Sequence, residues 1–288
     1  MGNQRFLWAA ALMICGISCA STAKNDDTSA SSDEASDSNM DTSSDTESSS
    51  DTDTSSQTDT ETDTDTGTET NTETDPAETL HDCVEPRYTA LQVVGWEVCI
   101  ESALLADEQG DAVLALLTQD LNQVVDRLEE DVVYWLQDVR IWVELESDWQ
   151  GAVYHPSADW LQENGYPTHW AESIQIANAA NYLSWTSIQP AIVLHELSHA
   201  WHHQHVGYNS PGIISAYDAA MESGIYDDVA YAGGGTAEAY AKTNALEYFA
   251  ELSEAWFWQN DFYPFTREEL LAFDPLGAEA VESAWSTD

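Results

Sequence analysis

Basic side chains are nearly missing from this chain. Seven Lys and Arg stand against 53 Asp and Glu over 288 residues, a formal net charge of −46. Such a body repels phosphate, which excludes nucleic acid as a partner. Long apolar runs are missing too: the stretch from Phe6 to Ile17 is too short to span a bilayer. Cysteine is scarce. Only Cys83 and Cys99 fall after residue 19, with fifteen residues between them and no Cys-x-x-Cys spacing, which argues against a thiolate metal site or a redox pair. Residues 20–79 contain no aromatic side chain at all, so they cannot bury enough apolar surface to offset chain entropy.

These gaps divide the chain into three. Arg5, the apolar run and Ser18-Cys19 read as an export signal over residues 1–19. The cysteine after a small residue resembles a lipoprotein signal and makes Cys19 the expected lipidation site. Gly16 stands where such signals usually carry a Leu-like residue, so plain cleavage near Cys19 is the alternative. Residues 20–79 are almost wholly Ser, Thr, Asp, Glu and Asn, with 18 acids and one lysine. They read as a disordered, self-repelling tether reaching on the order of 45 Å even as an ideal coil. Residues 80–288 hold eleven of the twelve tryptophans and are long enough for one domain with a real core. This part carries 35 acids and five bases, a solubilising surface that also suits basic substrates. Membrane contact is expected only through the lipid anchor, localisation at the cell envelope or outside the cell, and the protein as a monomer. In an exported protein the even pair Cys83 and Cys99 predicts one disulfide, pinning the incoming segment to the first strand.

The chemistry concentrates in Ala191 to His203, which contains His195-Glu196-Leu197-Ser198-His199. An apolar lead-in, no internal Gly or Pro, and Pro190 at a first helical position predict a helix. Histidines four apart share a helix face and can point at one ion, whereas Glu196 is displaced toward a bound water. His-Glu-x-x-His is the zinc-hydrolase pattern: zinc acidifies a water and the glutamate takes its proton.

Around it, periodicity predicts a strand over Leu91 to Ile100 and one long amphipathic helix from Asp111 to Leu136. Strands follow at Val139 to Leu145 and Gly151 to Tyr154, the latter ending in the loop His155-Pro156-Ser157. Helices are expected over Ala171 to Leu183, Ser215 to Ser223 with Gly224 as C-cap, and Asn244 to Trp258; Gly233 to Gly235 reads as a flexible joint. The fold class is therefore α+β.

Two residues compete as third ligand. His205 lies six residues after His199, but the glycine that such a spacing needs midway is replaced by His202, and Met221 has only ordinary helical neighbours. His202, His203 and His205 then sit exposed or behind the ligands at the helix end. Glu247 is the better candidate. It shares a helix face with Glu251, so one carboxylate can bind zinc while the other accepts the free ring N–H of a ligand histidine.

The run Tyr240-Ala241-Lys242-Thr243-Asn244-Ala245-Leu246-Glu247-Tyr248-Phe249-Ala250-Glu251, together with the His195 motif, resembles the catalytic domain of anthrax toxin lethal factor and its relatives. These are gluzincins, zinc peptidases whose third ligand is a glutamate on a second helix. Uncharacterised bacterial proteins of the same metallopeptidase clan are similar as well, sharing a segment like Tyr154 to Ser157. The resemblance covers roughly residues 90–275. It implies a zincin-like domain with a small mixed sheet, Glu247 as third ligand beside His195 and His199, and one zinc ion. It implies Tyr240 as a donor to the oxyanion, with Glu196 the general base. Tyr154 and His155 would line the substrate cleft, as would the glycine run. The implied function is hydrolysis of a peptide or protein substrate. A non-catalytic surface protein on a zincin scaffold, or a zinc hydrolase of another amide, remain as alternatives.

Overall fold

Alternating apolar residues build a small sheet with helices on both sides. The computed structural model describes residues 83–287. The expected export signal, Cys19 and the tether lie outside the described residues. The chain enters through a hairpin, β1 (Tyr88–Val93) and β2 (Trp96–Glu101), then runs through α1 (Ser102–Leu105), α2 (Gly110–Val125) and α3 (Glu130–Leu136). There follow β3 (Ile141–Val143), β4 (Ala152–His155), α4 (Ala158–Glu163), β5 (Ser173–Ile176) and α5 (Ala179–Trp185). The sheet order is β1-β2-β3-β5-β4, so β4 forms one edge. The central pairs β2/β3 and β3/β5 are parallel, and both outer pairs are antiparallel. The domain is α+β with a small mixed sheet.

Period-two alternation sorts side chains between the two faces. Trp96, Val98, Ile100, Ile141, Val143, Ile174 and Ile176 join the main core, against the helices. Cys99 and Trp142 face the other way, into a smaller cluster with Tyr88, Leu161 and Trp170. The expected disulfide forms between Cys83 and Cys99, whose Cα atoms are 5.8 Å apart. Cys99 stands on β2 rather than on the first strand.

The second half is helical. α6 (Ile192–Trp201) is buried along its whole length and continues into a π-helical turn, His202–Val206, ended by Gly207 at φ +86°. Then come α7 (Pro211–Ser223), a two-stranded hairpin of β6 (Val229–Ala230) and β7 (Thr236–Ala237), a 3-10 turn at Tyr240–Lys242, and α8 (Ala245–Phe257). α9 (Arg267–Phe273) and α10 (Pro275–Trp285) close the domain. No described helix is long and apolar enough to cross a membrane.

Four expectations are corrected. The strand over Leu91 to Ile100 is a hairpin turning at Val94 and Gly95, both at positive φ. The long helix from Asp111 breaks between Val125 and Glu130. The helix from Ala171 begins as β5 and becomes helical only at Ala179. The glycine joint, Gly233 to Gly235, is the tip of the β6–β7 hairpin. Gly224 does cap α7, at φ +69°.

Candidate metal centre

α6 presents its histidines to α8. Asn244 starts α8 by accepting hydrogen bonds from the backbone N–H groups of Leu246 and Glu247, at 2.8 and 3.0 Å. That cap fixes the first helical turn, which carries Glu247. Glu247 Oε2 lies 3.2 Å from His195 Nε2 and 3.2 Å from His199 Nε2, and the two imidazole atoms are 3.1 Å apart. All three residues are buried. A tetrahedral ion with bonds of about 2.0–2.1 Å holds its ligands about 3.3 Å apart, so this triangle has the size and the N,N,O chemistry of a zinc site.

The other ring atom decides the protonation of His195. Its Nδ1 donates to Glu254 Oε1 at 2.6 Å, which in a neutral ring leaves the Nε2 lone pair facing the triangle. The His195 lone pair and the Glu247 oxygen then face one point beside His199 Nε2, an arrangement that a cation or a shared proton satisfies. Burial would lower the His195 pKa, but the hydrogen bonds of Glu247 and Glu254 outweigh it and hold it well above the ordinary value. Burial would raise Glu247, yet the charges and hydrogen bonds of His199 and His195 hold it below the usual carboxylate range. Glu251, the expected partner of the ligand histidine, stands at 3.8 Å from Nδ1. The hydrogen bond belongs to Glu254 instead, three residues on. The signal was present: Glu247, Glu251 and Glu254 are spaced i, i+4, i+7 along one helix face.

Glu196 is held from the sheet. Its Oε2 accepts the backbone N–H of Tyr154, on the edge strand β4, at 2.7 Å. Burial raises its pKa, and the charges of His195 and His199 only partly offset that. Tyr240 lies with its ring centroid 6.4 Å from that of His195. Burial and the nearby Glu247 and Glu196 carboxylates raise its pKa, so the phenol keeps its proton.

The other expected residues fall elsewhere. His205 is exposed and stacks on Trp201, centroids 3.8 Å apart, so it does not meet His195 and His199. His202 is buried against Phe249. Tyr154 and His155 do not line a cleft with their side chains, which are 1 % and 3 % exposed. The Tyr154 hydroxyl is 2.9 Å from His203 Nδ1 and accepts from Gln204, filling the space between β4 and the π-helical turn. His155 Nε2 meets Gln175 Oε1 at 3.0 Å, and burial lowers its pKa to about 4. It belongs to a buried network in which Gln175 and Tyr88 both donate to Glu144.

No protein-family model, curated protein or solved structure matches this chain. The reading of the site therefore rests on its own geometry and chemistry.

Proposed function

We propose that this protein is a zinc-dependent metallopeptidase of gluzincin type on a zincin-like scaffold, with His195, His199 and Glu247 as the metal ligands. The observation that carries this reading is the buried triangle of two imidazole nitrogens and one carboxylate oxygen, 3.1–3.2 Å on each side, on the helix that also carries Glu196. When bound, zinc supplies Lewis acidity and makes a water acidic enough to ionise near pH 7.

The chain's own residues supply the rest. Glu196, pinned through one oxygen, keeps the other to accept the water's proton and return it to the leaving amine. Its raised pKa suits a group that must both take and give a proton near neutrality. Tyr240, protonated, donates to the developing oxyanion. Glu254 fixes the tautomer of His195. The disulfide fits an exported protein, in keeping with the signal read from residues 1–19.

The test uses the full chain. Metal analysis is expected to find one zinc per chain, and a peptide-library digest to show cleavage. Glu247→Ala is expected to lower zinc content, His205→Ala to leave it unchanged, and Glu196→Gln to keep zinc while losing cleavage. Zinc retained in Glu247→Ala but lost in His205→Ala would overturn the ligand assignment. A zinc-loaded wild type that cleaves no peptide in the library would overturn the peptidase assignment.

A further inference from the structure

The arginines of this chain share one habit. Each of the four among the described residues lies over an aromatic ring: Arg87 over Tyr88 at 4.6 Å, Arg127 over Trp258 at 4.8 Å, Arg140 over Trp142 at 5.7 Å and Arg267 over Trp256 at 3.7 Å. Three of them also meet a carboxylate. Arg87 pairs with Glu85 and Glu144, Arg140 with Glu97, and Arg267 lies 3.6 Å from Glu282. A guanidinium is drawn to the ring face by its quadrupole, and the carboxylate satisfies its edge. Lys242, the remaining strong base there, is held between Asp227 and Glu238. Every strong base of the described residues is thus committed.

One aromatic group carries rings and carboxylates without the cation. Trp149 precedes β4, Trp160 lies on α4 and Tyr166 follows that helix; all three are half-buried. Trp160 and Tyr166 are nearly parallel, 12° apart with centroids at 5.9 Å, and both pack on the smaller core cluster. Trp149 stands across them, at 74° and 63°, with centroids 6.3 and 5.5 Å away. The group therefore lies on the sheet face turned from α6 and its histidines. Carboxylates border it: Asp148 beside Trp149, Asp159 beside Trp160, and Glu163 three residues further along α4. These three are exposed, and none shares in the ion pairs that the described bases make.

We propose that Trp149, Trp160 and Tyr166 form a docking face for an arginine-bearing segment of a partner protein. Charge complementarity names the occupant, because ring faces and carboxylates are the two groups with which this chain engages its own arginines. Arginine suits the face better than lysine: its flat, weakly hydrated plane stacks on a ring while its fork meets a carboxylate. Rigid aromatic side chains are also the usual anchors of a protein interface. The face stands apart from the candidate metal centre, so the proposal holds whatever the triangle binds.

The experiment is calorimetric titration of the full chain with a capped octapeptide of alternating Arg and Gly, at about 150 mM salt to screen diffuse attraction. Glu196→Gln serves as the parent, so that the probe is not cut. The parent is expected to bind the peptide, and Asp148→Asn/Asp159→Asn/Glu163→Gln to bind it about tenfold more weakly or worse. Glu222→Gln/Glu268→Gln/Glu279→Gln removes as many exposed charges from α7, α9 and α10 and is expected to bind like the parent. Both variants keep the acidic residues 20–79, so attraction to those cancels. Trp160→Ala is expected to weaken binding to a similar degree with zinc content unchanged. The charge variants leave the rings intact, so their comparison holds even where Trp160→Ala lowers the Tm. The proposal is overturned if the parent does not bind, or if the two triple variants bind alike, the mark of diffuse attraction to an acidic surface. It is equally overturned if a folded Trp160→Ala binds like the parent, or if spermine, of equal charge, binds as tightly as the peptide.

Discussion

Glu196 and Glu247 are buried carboxylates on facing helices, yet their surroundings push them in opposite directions. Burial dominates at Glu196 and raises its pKa, whereas two imidazoles outweigh burial at Glu247 and keep it ionised. The His195 partner shows how fine such placement is: Glu254 at 2.6 Å acts where Glu251, at 3.8 Å, does not. Glu254→Gln is therefore expected to weaken zinc binding about 10- to 100-fold, the scale for a residue that orients a ligand, and competition with a chelating dye measures it. Tyr240→Phe is expected to lower kcat roughly 10- to 1000-fold with KM, zinc content and Tm near wild type, the pattern of a donor used only in the transition state. An unchanged kcat would remove Tyr240 from the site. The pairing of His195 with His199 was legible in sequence because helical spacing puts both on one face of α6, and Glu247 was legible as one of two carboxylates sharing a face of α8. The role of Glu254 was not, since Glu251 lies on the same helix face and only the distances to His195 Nδ1 separate the two.

At the level of elements, the sequence misled wherever apolar periodicity outran backbone geometry. Leu128 and Val132 stay buried across the break between α2 and α3, so the helical pattern continues although the helix does not. β5 is only four residues, Ser173–Ile176, too short for periodicity to separate strand from helix. The turn at Val94-Gly95 lacks the Asn-Gly or Asp-Gly signal and places a β-branched residue at φ +53°. One helix contact carries its own pH signature. Asp120 on α2 accepts the Tyr182 hydroxyl of α5 at 2.6 Å, and burial, only partly countered by that bond, raises its pKa to about 6. Between the unfolded value near 4 and this one, the native state binds a proton that the unfolded state has released, so stability falls as pH rises through that window. Asp120→Asn should match wild type near pH 4 and exceed it by about 2–3 kcal/mol above pH 6, read from urea melts at each pH. A constant difference across that range would rule the titration out.

For the whole molecule, composition alone marked where the folded part begins, because tryptophan and the other large apolar residues begin in earnest only after residue 80. It also marked the cysteine pair, which the structure joins across the hairpin. The bridge closes a short loop on the smaller core cluster, apart from the candidate metal ligands. Cys83→Ala/Cys99→Ala is accordingly expected to cost about 3 kcal/mol in unfolding, by the loop-closure argument, while zinc content stays at wild type. Loss of zinc in that variant would show that the two ends of the sheet are mechanically coupled.

The hold on Glu196 comes from a main-chain amide of β4, and a peptide N–H is common property of every residue but one. Nineteen of the twenty residue types at position 154 carry the N–H that steadies the proposed base; proline does not. A saturation library at this position, sorted by activity at low and high temperature, would therefore split in two. Most replacements, having lost a buried phenol, would behave as heat-sensitive proteins that recover when cooled. Proline alone would stay inactive in the cold, marking which part of Tyr154 selection acts on.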